Sequence, residues 1–190
     1  MGFSRLYYGG FGLLVVALGL LLLPKWMSSG DHPLVGLTDV DVCAKLGDLM
    51  RTGLPETPVQ VETGIRGQPQ PGMDVCYAEL PGSGGAAAHE RYVWVSVTTQ
   101  RQLSKGAGRA VGTDRYVDTW LSEVKASGST VAPVKGAWRR AALIHPPGSG
   151  QGAEVLVDDA GVMLLVKGVG VADDALVAFA DGVARRLRGR

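Results

Sequence analysis

Residues 153–187 read AEVLVDDAGVMLLVKGVGVADDALVAFADGVARRL, and two hydrophobic periods follow one another within them. Ala153–Val157 and Val162–Lys167 are aliphatic runs on either side of the turn sequence DDAG, and they predict a β-hairpin. From Asp173 the spacing becomes helical: Leu176, Phe179, Ala180, Val183 and Leu187 fall on one stripe over residues 173–188. Asp173 and Asp174 at its start, and Arg185, Arg186 and Arg188 at its end, complement the helix dipole. Asp158-Asp159 and Asp173-Asp174 are accordingly read as turn and helix-start residues rather than as catalytic carboxylates.

Working back from this unit, a helix is expected beyond the cap Thr113. It carries Tyr116, Val117, Trp120, Leu121 and Val124 on its stripe and ends at Gly128. Thr130–Val134 and Ala137–His145 follow as strands. Further upstream Val59, Val61, Thr63 and Ile65 alternate, and Asp74–Leu80 and Arg91–Thr99 are two more strands. Val93, Val95 and Val97 face one way there, and Tyr92 and Trp94 the other. Thr38 opens the first helix with Asp41 as its T-x-x-D partner. Val42, Cys43, Leu46, Leu49 and Met50 share its apolar face, and Gly53 ends it ahead of Pro55. The order helix, strands, helix, strands, helix lacks strict βαβ alternation. It predicts an α+β domain, with a mostly antiparallel sheet packed by about three helices.

Ahead of that domain, Leu6–Pro24 reads LYYGGFGLLVVALGLLLLP, with no charge between Arg5 and Lys25. About 19 residues at 1.5 Å rise give roughly 28 Å of helix, close to the thickness of a bilayer's hydrocarbon. Tyr7, Tyr8 and Trp26 suit the two interfaces. The rival reading is a cleaved signal peptide, with Ser28-Ser29-Gly30 as the cutting site. The apolar run is longer than the ~7–15 residues usual there. No cysteine follows closely enough for lipidation. The expected layout is residues 1–6 cytoplasmic, 7–24 a transmembrane anchor, 25–36 a stalk and 37–190 an extracytoplasmic α+β domain. The protein would lie in the plasma membrane as a single-pass chain. Gly12 and Gly19 share one face of the anchor, where small residues would let two copies approach as a homodimer.

The 190-residue chain carries a formal charge of +1, with Arg5 and Lys25 both in the anchor region. The exported part therefore has no basic excess, and nucleic-acid binding has no support. It has two cysteines, Cys43 and Cys76, an even count read in an oxidising compartment as a disulfide. Their spacing fits neither a CxxC redox pair nor a zinc-ligand pattern.

Other patterns carry little chemistry. Residues 148–153, GSGQGA, match GxGxx[GA] formally, but a strand-like run follows where a dinucleotide site needs a helix N-terminus. His32, His89 and His145 have no ligand spacing, and no G-x-S-x-G elbow occurs. No catalytic, metal or cofactor residue is assigned, and no cofactor is expected. Arg139 and Arg140 beside Trp138, and the cluster of Arg185, Arg186, Arg188 and Arg190, are candidate sites for an anionic headgroup or cell-wall polymer. Each also fits an ordinary solvated strand or helix end.

VDVCAKLGDL, with the first cysteine inside an early helix, and VCYAEL, with the second opening a strand, resemble the DUF3558-like exported domains of actinobacteria. The late strand–turn–strand–helix unit adds to the likeness, which spans roughly residues 37–188. The chain departs from that pattern in lacking the lipobox cysteine and in placing an aromatic, Tyr77, one position early. The resemblance implies a cell-surface α+β domain and no catalytic residues. The function expected is a membrane-anchored interaction or accessory domain with a protein partner in the cell envelope. The alternative is a ligand- or lipid-binding module with an apolar pocket lined by Trp94, Trp120 and Trp138. An enzyme with an unrecognised site stands third.

Overall fold

The structure, a computed structural model, describes residues 41–65, 74–82, 90–100, 102, 112–136, 138–148, 150, 152–159 and 161–187. The expected anchor 7–24 with Gly12 and Gly19, the stalk 25–36, Thr38, His32, His89, Arg188 and Arg190 lie outside the described residues. Among the described residues no helix is long and apolar enough to cross a membrane.

Helix α1, Val42–Thr52, starts one turn later than the sequence predicts. Its N-cap is Asp41, whose side chain accepts a hydrogen bond from the Ala44 amide at 2.9 Å. Asp caps as well as Thr does, and here the expected partner of the cap is the cap itself. Gly53 closes the other end, donating to the Leu49 carbonyl at 2.7 Å.

Seven strands follow: β1 Gln60–Thr63, β2 Asp74–Glu79, β3 Tyr92–Thr99, β4 Thr130–Pro133, β5 Arg140–His145, β6 Ala153–Asp159 and β7 Val162–Val169. They form one sheet in the order β1-β2-β3-β7-β6-β5-β4. Every pairing is antiparallel. Two meanders, β1–β3 and β4–β7, thus meet where β7 lies against β3. Helix α2, Thr113–Ala126, joins them by carrying the chain from the centre of the sheet to its far edge. Helix α3, Asp173–Leu187, follows β7.

The alternation along the strands decides which face each helix covers. Cys76, Ala78, Val93, Val95, Val97, Val155, Val157, Leu164 and Val166 point to one face and form the main core with α1 and α3. Leu176, Phe179, Ala180, Val183, Ala184 and Leu187 are the buried face of α3, the predicted stripe with one alanine added. A Cβ on Gly168 of β7 would lie 2.8 Å from the Leu176 side chain, so a glycine lets this helix approach the strand closely. On the opposite face Ala142, Ile144, Leu156 and Met163 pack beneath Val117 of α2, with Trp120, Leu121 and Val124 half-buried around them.

Two expectations are corrected. Tyr116 is not in the buried stripe of α2 but 40 % exposed, because the helix narrows its contact to Val117 and the turn beyond it. Asp158 and Asp159 are not turn residues. Strand β6 continues through both, and Asp159 pairs with Val162 in register. Gly161 takes φ +94° there, the left-handed region that glycine adopts freely. Both aspartates are only 1 % exposed.

Candidate functional site

Helix α2 places Asp114 and Asp118 one turn apart, so both carboxylates lie on one face. The chain entering β5 brings Arg139 and Arg140 beneath them, and β6 sets Asp158 directly opposite Arg140 in register. Arg139 Nη1 donates to Asp114 Oδ2 at 3.1 Å, and its Nη2 to both Asp114 Oδ1 and Asp158 Oδ2, the latter at 2.6 Å. Arg140 Nη1 donates to Asp118 Oδ1 at 2.5 Å and Nη2 to Asp158 Oδ2 at 3.0 Å. Buried Asp158 is thus shared by two guanidiniums whose side chains keep 41 % and 38 % of their exposure.

The charge on Arg140 is opposed by its partial burial but favoured more by Asp118, through hydrogen bond and charge, and then by Asp158. Its guanidinium is held above its ordinary value. The match is incomplete: Asp158 Oδ1 and Arg140 Nε are buried without a hydrogen-bond partner. Beside them is a small recess lined by Val117, Leu121, Ala141, Ala142 and Leu156 as well as by Arg140 and Asp158.

A second polar cluster sits at the opposite end of the described domain. Arg91 donates two hydrogen bonds to the carboxylate of Glu56, one of them from Nη1 at 2.9 Å. It also bonds the carbonyls of Pro81 and Gly170, each at 3.0 Å. One guanidinium so ties three connecting segments together. The hydrogen bond from Arg91, more than its charge, holds the Glu56 carboxyl below its ordinary value of 4.5.

The remaining candidates are dispersed. Arg185 pairs with Asp181 one turn before it, and Arg186 Nε reaches the Lys45 carbonyl at 3.4 Å. His145 Nε2 meets Asp173 Oδ2 at 3.0 Å. Gly148, Gly150 and Gly152 all have positive φ, and strand β6 rather than a helix N-terminus follows them. Trp138 packs on the main core and Trp120 on the opposite face, so the tryptophans do not share one pocket. Among the described residues no group of three His, Cys, Asp or Glu is placed to hold a metal ion. Cys43 and Cys76 are bonded, their Cα atoms 4.8 Å apart, fastening α1 to β2.

Arg139 and Arg140 stand out in the sequence, whereas their partners Asp114, Asp118 and Asp158, and the Arg91–Glu56 pair, do not. Those partners lie 18 to 35 residues away, and no local pattern joins them. Chemically, three carboxylates face two guanidiniums, so an anion approaching Arg139 or Arg140 must displace carboxylates already bonded there. Compared with known protein families, characterised proteins and solved structures, the chain finds no match in any of the three.

Proposed function

We propose that this chain is a single-pass membrane protein that displays its α+β domain outside the cytoplasm as an interaction or accessory module. The reading is carried by one conjunction: an uncharged run from Leu6 to Pro24 precedes a domain whose only two cysteines are joined to each other. The run is long enough to span a bilayer, and a disulfide persists in an oxidising compartment. The N-terminus stays cytoplasmic, with Arg5 on that side. The partner is a protein of the cell envelope. The likeness of the cysteine-bearing segments to DUF3558-like domains agrees with a surface location and adds no activity.

The test is fractionation of native membranes with carbonate at high pH, followed by N-terminal sequencing. Retention in the pellet with Arg5 intact is the expected result. A mature chain beginning near Asp31 would replace the anchor with a secreted domain. Crosslinking and pull-down from the same membranes then identify the partner.

A further inference from the structure

We infer that α2 is a latched cover: it opens from the sheet as a unit, and the ion pairs of Asp114 with Arg139 and of Asp118 with Arg140 hold it shut. Its apolar hold is small. Of its fourteen residues only Thr113 and Val117 are buried, whereas α3 buries six. Stabilisation by burial scales with apolar area removed from water, so α2 is the less firmly seated of the two. Charge adds a second, modest hold: Asp114 and Asp118 on the helix pair with Arg139 and Arg140, which Asp158 steadies from the sheet side.

Such a latch differs from an apolar seam in what opening does to it. Charges taken out of water carry a desolvation cost that their attraction only partly offsets. On opening, Asp158 Oδ1 and Arg140 Nε, which have no partner while the helix is closed, regain water. The two ends of the helix suit a hinge. Gly112 is the N-cap and has no side chain to bond the first turn, and Gly128 follows the last turn at φ +91°. Opening would uncover Ala142, Ile144, Leu156 and Met163 and leave the strand ladder and the α1–α3 core in place. That is a local, sub-global opening of the kind hydrogen exchange resolves.

The experiment is hydrogen exchange of the full chain, read by mass spectrometry on peptides from α2, α3 and β7. Peptides spanning 116–126 should exchange at least about tenfold faster than those of α3 and β7, and Asp114→Asn combined with Asp118→Asn should speed α2 by about a further threefold while leaving the other two unchanged. Should the double variant not fold, Asp118→Asn alone, on the exposed side of the latch, should move the same peptides in the same direction. Equal exchange in α2, α3 and β7 of the unaltered protein would overturn the proposal, because the helix would then open only with the whole domain. A variant that accelerates all three alike would overturn the role of the ion pairs.

Discussion

Asp158 shows how one side chain can be misjudged from its neighbours in sequence. DDAG has the composition of a turn, yet the aspartate points beneath α2, where two guanidiniums reach it. Asp158→Ala should cost about 2 kcal/mol, less than the ~3–5 of a wholly buried pair, because Arg139 and Arg140 remain partly hydrated. Asp114→Ala, an exposed partner of the same cluster, should cost under about 1 kcal/mol. Urea midpoints of the two variants give the comparison, and equal costs would show that burial of Asp158 does not matter. Glu56 makes a pH prediction. Its carboxyl is depressed in the folded protein by the Arg91 hydrogen bond, so its contribution is complete above the ordinary value of 4.5 and is lost as pH falls through the folded value. The stability advantage of the native protein over Glu56→Gln should therefore be constant near neutrality and vanish in acid. An advantage that persists in acid would contradict that linkage.

Among the elements, those with a strong local period were legible and those made by pairing were not. The apolar stripe of α3 is a helical repeat within fifteen residues, and the dipole-matched charges mark its ends. The alternation of Val93, Val95 and Val97 likewise set one face of β3 before its partners were known. Nothing local says that β7 lies against β3, since such a contact joins segments some seventy residues apart. The ion-pair site was hidden for the same reason, its arginines being visible and its carboxylates scattered over α2 and β6. Where helix α1 begins was missed by one turn because Thr38 and Asp41 are both capping residues. The best-read element is also the easiest to test. Phe179 is the largest residue on the buried face of α3 and sits in the main core, so Phe179→Ala should cost about 3–5 kcal/mol. Arg185→Ala, which removes an exposed pair with Asp181, should cost about 0.5 kcal/mol or less. A Phe179→Ala protein with the urea midpoint of the unaltered chain would mean that α3 is not docked through this face.

At the scale of the whole domain, the disulfide is the one covalent tie between the parts that local sequence leaves independent. Helix α1 precedes the first meander, and Cys43 fixes it to β2 across a separation of 33 residues. The same helix touches α3, whose Gly182 lies under Leu49, so the bond also holds the two helices of the main core side by side. Closing a loop of about 34 residues removes unfolded-state entropy worth roughly 3.8 kcal/mol in the chain-entropy account. A domain of this size has about 5–15 kcal/mol in all, so the bond is a large share of it. Cys43→Ser with Cys76→Ser should therefore lower the urea midpoint by more than Asp158→Ala does, and the loss should be the same as that on adding reductant to the native chain. The two sulfurs lie against the main core and not against α2, so exchange in the α2 peptides should rise only as far as the whole domain weakens. If reductant leaves the midpoint unchanged, the helix is seated by packing alone. The disulfide then would report the compartment in which the chain matures rather than what keeps it folded.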